Sequence, residues 1–250
     1  MTLKRLRRHW DLLGKKDPLW AVLALENKRG NRWRVDEFFA TGQDEIEEVT
    51  KYVEALGVEL DRRNALDFGC GVGRLTQALA DRFEVVWGVD IAPSMIEQAK
   101  RFDRHPGTCH YLVNERADLR MFESASFGFI YSNIVLQHIE PRYQRSYMKE
   151  FLRVLTPGGV LVFQLPSDRI ERESGTWGRL KQAIKSAAPA PILSAYERIR
   201  WGRRALIEMW GMPRDEVSGL LVAEGATILD VRADGFAGAN WAGFRYTVTK

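Results

Sequence analysis

Three glycines alternate with other residues directly after a short apolar run, at Gly69, Gly71 and Gly73. Residues 65–68 are typical of a buried strand, and residues 74–80 have the composition of a helix. Glycine lets the backbone turn sharply and removes side chains that would keep a ligand away from the chain. The loop between this strand and this helix therefore predicts a binding site for a small molecule.

A carboxylate ends the next apolar segment, at Asp90, 21 residues after Gly69. A carboxylate in this position can accept hydrogen bonds from both hydroxyls of a ribose. A pyrophosphate site would require a third glycine at position 74, where this chain has Arg74. The sequence therefore predicts an adenosine-type ligand that carries no pyrophosphate.

The GxGxG pattern behind Asp67 resembles motif I of the class I S-adenosylmethionine-dependent methyltransferases. Later segments resemble later elements of that family in the same order, so the resemblance covers roughly residues 60–166. They are residues 90–95 after the second strand, 116–119 after the third, 126–139 for the fourth and its exit, and 156–163 for the fifth. The resemblance implies an α/β fold, a doubly wound, seven-stranded Rossmann-like sheet whose last strand is antiparallel. It implies S-adenosylmethionine as cofactor.

The same resemblance implies roles for individual residues. Asp67 would contact the methionine amino group through water or cap the turn, and Asp90 would bind the ribose. Asp118 would meet the adenine amine, with the Leu119 N–H on the ring, unless it is an acid of a surface loop. The predicted cofactor-binding residues are Asp67, Gly69, Cys70, Gly71, Gly73, Arg74, Asp90, Ile91, Met95, Asp118, Leu119 and Asn133.

Methyl transfer from a sulfonium is an in-line displacement in which the enzyme mainly aligns the acceptor. A hydroxyl acceptor must lose its proton, and His138, just beyond the fourth strand, is the candidate general base. A packing or hydrogen-bonding role for this histidine stays open. Residues 133–136 lack the Pro-Pro-aromatic sequence common in nitrogen-methylating relatives, which disfavours nitrogen methylation.

Candidate acceptor-binding residues come from several segments of the chain. The aromatic residues of the first segment have an alternative role in packing an N-terminal helix on the core. The candidates are Trp33, Arg34, Phe39, Gln137, Gln164, Asn240 and Trp241, the last two in a glycine-rich loop at residues 235–243.

The domain organisation follows from the alternation of strand and helix patterns. Residues 1–60 are predicted as an N-terminal helical cap, and residues 61–166 with 215–250 as the core. Residues 167–214 are too long for an ordinary strand–helix connection and are predicted as a helical insertion that caps the substrate. Within the cap, Thr41 and Asp44 predict the start of an amphipathic helix that Gly57 ends.

Composition excludes several classes of protein. The formal net charge of +4 is too small to indicate a nucleic-acid binder, although cations cluster at residues 4–8 and 169–204. These clusters indicate an anionic acceptor, a membrane surface or nucleic acid, or simply solvated helix faces. Two cysteines exclude a disulfide scaffold, and no residue set indicates a metal site. No apolar run is long enough to span a membrane, so we expect a cytoplasmic protein, with peripheral membrane contact left open.

The preferred interpretation is a methyltransferase that acts on a hydroxyl of a small molecule or saccharide. An RNA methyltransferase is the alternative that the basic clusters favour, although no RNA-binding appendage is recognisable. A nicotinamide-dependent oxidoreductase is opposed by Arg74, and a non-catalytic nucleoside-binding protein is opposed by the intact glycine loop and Asp90. The acceptor and the oligomeric state are not predicted.

Overall fold

Seven strands form one sheet in the computed structural model, which describes residues 1–170 and 208–250. The strand order is β3-β2-β1-β4-β5-β7-β6, and β7 is antiparallel to both of its neighbours. This confirms the predicted doubly wound sheet with an antiparallel last strand. The strands are β1 (Asn64–Phe68), β2 (Val85–Asp90), β3 (Cys109–Val113), β4 (Phe127–Ser132), β5 (Leu155–Arg169), β6 (Thr227–Asp234) and β7 (Trp241–Thr249).

Helices precede the sheet and cover both of its faces. Within the described residues, no helix combines the length and hydropathy that crossing a bilayer requires. The helices are α1 (Leu3–Lys16), α2 (Pro18–Val22), α3 (Val35–Ala55), α4 (Arg74–Ala80), α5 (Pro93–Phe102), α6 (Pro141–Val154) and α7 (Arg214–Ala223), with single 3₁₀ turns at Glu26–Lys28 and Leu136–His138.

The two faces of the sheet are buried by different helices. On one face, α3 and α4 pack Ile46, Val49 and Leu79 against strand residues such as Phe129. On the other face, α6 and α7 pack residues such as Phe151 and Leu221. The strand order reverses between β1 and β4, so the carboxyl ends of these two strands form the switch point where ligands of such sheets bind.

The helix predicted to begin after Thr41 begins instead at Val35, so that prediction is wrong. The Thr41 hydroxyl donates to the Phe38 carbonyl at 2.6 Å within the helix and caps nothing. A Cβ on Gly42 would lie 2.4 Å from the Arg74 carbonyl, so this glycine lets α3 pass close to α4. The local cap signal was overridden because tertiary packing buries Phe38 and Phe39 in the part of the helix that precedes Thr41.

The boundaries after β5 differ from the predicted domain limits. β5 continues to Arg169, three residues beyond Pro166, and α7 begins at Arg214. β7 begins at Trp241, which shortens the predicted glycine-rich loop to residues 235–240. Most of the predicted helical insertion, residues 171–207, lies outside the described residues.

Candidate functional site

The glycine loop turns between β1 and α4 with a left-handed backbone at Gly69, Gly71 and Gly73 (φ 81°, 53° and 83°). The N–H of Gly69 donates to the Val89 carbonyl at 2.8 Å, which ties the loop to β2. A Cβ on Gly69 would lie 2.3 Å from the Val135 side chain. Both conformation and space therefore require glycine at this position.

Asp90 ends β2 directly beside this loop. One carboxylate oxygen accepts the Gly71 N–H at 3.0 Å, and the other accepts the Ala92 N–H at 2.8 Å. Burial raises the pKa of Asp90 to about 6, against the opposing effect of these hydrogen bonds. The carboxylate is thus held in one orientation, and each oxygen retains the capacity to accept a further donor.

A cavity of about 910 Å³, counting its open mouth, lies over the carboxyl ends of β1, β2 and β4. Most predicted cofactor residues line it, and so does the predicted base. These residues are Gly69, Cys70, Gly71, Arg74, Asp90, Ile91, Met95, Asn133 and His138.

Asn133 follows β4 and is held by a buried carboxylate of α3. Its amide Nδ2 donates to Glu45 Oε1 at 2.7 Å, while Glu45 Oε2 accepts from Arg74 at 2.8 Å. The Asn133 Oδ1 atom is buried and has no hydrogen-bond partner among the described residues. The next residue, Ile134, has φ +60°, a strained conformation for a β-branched side chain. The end of β4 therefore places at the cavity wall an acceptor without a partner among the described residues, next to a residue with a strained backbone.

His138 lies at the cavity wall in the 3₁₀ turn before α6. Its Nδ1 lies 3.2 Å from the Glu208 carbonyl, and its Nε2 lies 3.2 Å from the amide nitrogen of Gln137. Because a carbonyl only accepts, Nδ1 carries the proton and Nε2 accepts from Gln137. Burial lowers the pKa of His138 to about 4. The ring is therefore neutral at pH 7 and weakly basic.

Two predicted cofactor residues support the loop from outside the cavity lining. Asp67 is buried in β1 and accepts the Thr76 hydroxyl at 2.7 Å, and burial raises its pKa to about 7. Gly73 precedes α4, where a Cβ would lie 2.8 Å from the Tyr111 hydroxyl. Both residues contact the scaffold of the loop.

The structure does not bring the predicted adenine-binding loop to the cavity. Asp118 pairs with Arg120, whose guanidinium holds the pKa of that carboxylate below its usual value. The Leu119 N–H donates to Glu150 at 2.6 Å and is therefore already satisfied. Asn114, at the end of β3, lines the cavity instead.

The predicted acceptor residues lie outside the cavity lining, and their role stays a prediction. Trp33 and Phe39 are buried among the N-terminal helices, and Arg34 is exposed before α3. Gln137 and Gln164 are buried, and both amide atoms of Gln164 lack a partner among the described residues. Asn240 and Trp241 lie at the start of β7, with Arg169 over the Trp241 ring at 5.6 Å.

Helices α1 and α2 contribute to the cavity, a contribution that was not predicted from the sequence. Leu3, Leu6 and Trp10 of α1 line it, together with Ala21 and Val22 of α2. The signal was present, because apolar residues at positions 3, 6, 10 and 13 recur at helical spacing. Among the residues that the structure describes, no group of three or more His, Cys, Asp or Glu side chains could hold a metal ion.

Part of the chain is similar to known proteins. Residues 66–163 match the family described as "Methyltransferase domain". Trans-aconitate 2-methyltransferase of Azoarcus sp. (strain BH72) is 29% identical over 167 residues, which cover 63% of this chain and 63% of that protein. The biotin biosynthesis bifunctional protein BioHC of Cellvibrio japonicus is 36% identical over 107 residues, which cover 43% of this chain and 20% of that protein. The chain thus spans less than two thirds of each of these relatives.

One solved methyltransferase structure has a fold similar to that of this chain. Magnesium protoporphyrin IX methyltransferase from Synechocystis PCC 6803, with bound SAH, aligns with a TM-score of 0.65 and covers 99% of both chains. The sequence identity is 14%, so this similarity concerns the fold.

Proposed function

We propose that the protein is a class I S-adenosylmethionine-dependent methyltransferase that transfers a methyl group from S-adenosylmethionine to an oxygen of a small molecule. The observation that carries this proposal is the position of Asp90. A half-buried carboxylate, oriented by the glycine loop, faces a cavity at the switch point of the sheet. Each of its oxygens can accept a further hydrogen bond, so a ligand that offers two hydroxyl donors fits this position.

The residues of the cavity fit this cofactor. Asp90 would accept the ribose hydroxyls, and the unpartnered Oδ1 of Asn133 offers an acceptor to the methionine ammonium group. Ile91 and Met95 supply apolar surface for the adenine. When bound, the cofactor supplies a methyl group that its sulfonium has already activated. The protein has then to align the acceptor and exclude water.

A hydroxyl of a small molecule or saccharide is the first candidate acceptor. His138 lines the cavity and is neutral at pH 7. Its Nε2 could accept the hydroxyl proton once the hydrogen bond from the Gln137 amide is broken. The lowered pKa of His138 makes it a weak base for this task, since a base is most effective when its pKa lies near the working pH.

A carboxylate is the second candidate acceptor, and the environment of His138 favours it. A carboxylate is already ionised at pH 7 and needs no base. The buried, hydrogen-bonded imidazole would then pack beside the acceptor. The Trp10 ring contacts the same imidazole, with the two ring centroids 5.3 Å apart. The name of the trans-aconitate 2-methyltransferase relative supports an acid as substrate class.

Two measurements test the proposal. Thermal stabilisation by S-adenosylhomocysteine but not by NADH is expected, and folded protein that responds to neither S-adenosylmethionine nor S-adenosylhomocysteine would overturn it. Isotope-labelled S-adenosylmethionine is then offered with hydroxyl-bearing and carboxyl-bearing small molecules. Alkali hydrolyses methyl esters and leaves methyl ethers intact, so the lability of the labelled product identifies the acceptor class. Labelling of RNA alone would favour the RNA methyltransferase alternative.

A further inference from the structure

The positive charge of the chain is concentrated in its N-terminal layer, residues 1–34. This layer carries ten Lys and Arg residues and three Asp and Glu residues. The remaining 216 residues carry 27 Lys and Arg residues and 30 Asp and Glu residues. The layer alone is therefore strongly basic, and the rest of the chain is slightly acidic. Such an asymmetry directs one face of a protein towards an anionic partner.

The two faces of α1 differ in character. Its inner face carries Leu6 and Trp10, which line the cavity. Its outer face carries exposed residues at helical spacing, namely Lys4, Arg8, Leu12 and Lys16. Leu12 is 57% exposed, so an aliphatic side chain lies among the cations of this face.

The segment after α2 continues the same surface. Asn31 Nδ2 donates to the Lys16 carbonyl at 3.2 Å, and the Gly30 N–H donates to the buried carboxylate of Asp17 at 2.6 Å. These bonds hold residues 29–32 beside the carboxyl end of α1. The exposed Arg29 therefore lies beside the carboxyl end of α1. The Leu25 carbonyl accepts the Trp20 indole N–H at 2.9 Å, which holds Leu25, 46% exposed, against α2.

We propose that this face of the N-terminal layer, formed by Lys4, Arg8, Leu12, Lys16, Leu25 and Arg29, docks on the surface of an anionic lipid bilayer. The charge complements anionic headgroups, and the exposed leucines gain by entering the interface between headgroups and acyl chains. Single-stranded RNA would require exposed aromatic rings for base stacking, and the half-buried Trp20 ring is already covered by Arg29 at 5.3 Å. The observations therefore favour a membrane over RNA.

Co-sedimentation of the whole protein with vesicles tests this proposal. Binding is expected to vesicles of phosphatidylcholine mixed with phosphatidylserine, to be absent with phosphatidylcholine alone, and to weaken as salt is raised. Replacing Lys4, Arg8, Lys16 and Arg29 together by Gln is expected to lower vesicle affinity roughly 1,000-fold. The matched control replaces Lys51, Arg63, Arg145 and Lys149 by Gln, which removes the same net charge from exposed cations elsewhere.

A second pair of variants tests the exposed leucines. Leu12→Ser with Leu25→Ser is expected to lower vesicle affinity about 5-fold or more, because apolar burial in the interface is lost. Val222→Ser is the control, since Val222 is 58% exposed on α7. Equal losses in both charge variants, or binding to a single-stranded homopolymer RNA with no binding to anionic vesicles, would overturn the proposal. None of these residues lines the cavity, so cofactor binding reports separately on the proposed function.

Discussion

The carboxylate of Glu45 in α3 accepts a hydrogen bond from the Arg74 guanidinium at 2.8 Å, where α4 begins. Both side chains are buried. The other oxygen of Glu45 accepts from Tyr131 at 2.9 Å and from Asn133 at 2.7 Å. One buried ion pair thus ties α3 to the strand end that lines the cavity, so fold stability and site geometry depend on the same residues.

Glu45→Ala is expected to lower the free energy of unfolding by about 3–5 kcal/mol, because it leaves the Arg74 guanidinium buried without its partner. Urea denaturation measures this loss. Glu47→Ala on the same helix is the control, since Glu47 pairs with Lys51 at the exposed surface and should contribute less than about 0.5 kcal/mol. Similar losses in the two variants would contradict the structural importance of the buried pair.

Gly42→Ala is expected to destabilise the protein by about 1–3 kcal/mol, because the new Cβ would lie 2.4 Å from the Arg74 carbonyl and force α3 away from α4. Gly219→Ala in α7 supplies the control. A Cβ there meets nothing within 4 Å, so the higher helix propensity of alanine should stabilise by about 0.5–1 kcal/mol. Thermal denaturation of both variants gives the comparison, and stabilisation in both would show that the helices do not approach as described.

Asp90→Ala is expected to weaken the binding of S-adenosylmethionine at least ten-fold, or about 1.4 kcal/mol, because the ribose hydroxyls lose their acceptor. Isothermal titration calorimetry measures this change. The companion variant Asp118→Ala should change affinity less than about two-fold, since Asp118 pairs with Arg120 outside the cavity lining. A ten-fold loss in Asp118→Ala would instead support the role in adenine binding that the sequence predicts.

Cofactor affinity should depend on pH through Asp90. Burial raises its pKa to about 6, and the ribose hydroxyls favour the ionised carboxylate. Affinity for S-adenosylhomocysteine is therefore expected to rise with pH up to about 6 and to level off above it, with a limiting slope of about ten-fold per unit. Asp90→Asn should bind more weakly and lose this slope. A slope that persists in Asp90→Asn but disappears in Asp67→Asn would assign the titration to Asp67, whose pKa burial raises to about 7.

If the acceptor is a hydroxyl, His138→Ala is expected to lower turnover and to leave cofactor affinity nearly unchanged. The lowered pKa of about 4 keeps the ring neutral, so its protonation should not limit turnover above about pH 6. Steady-state kinetics across pH measure this. His110→Ala is the control, because His110 of β3 contacts the Trp87 ring of β2 at a centroid distance of 4.7 Å and does not line the cavity. Turnover that survives in His138→Ala would remove the general-base role and favour a carboxylate acceptor.

Some features of the site could be predicted from the sequence because they depend on residues that are close together in the chain. The glycines at positions 69, 71 and 73 permit the left-handed backbone that this tight turn adopts, and Asp90 is placed by the length of one helix and one strand. Alternating apolar segments predicted the strands and their order along the chain. The local signal at Thr41 was misleading, because burial of Phe38 and Phe39 lets α3 begin about two turns earlier, at Val35.

The sequence by itself determined the strand–loop–helix unit, the carboxylate beside it and the class of sheet, since each follows from backbone sterics and hydrophobic periodicity within short segments. Only the tertiary structure decided that α1 lines the cavity, that Asp118 lies outside it, and that Glu45 holds Asn133. It also decided the charge state of His138, because a pKa depends on burial. Burial and contact arise from residues distant in the chain, and no spacing within a segment specifies them.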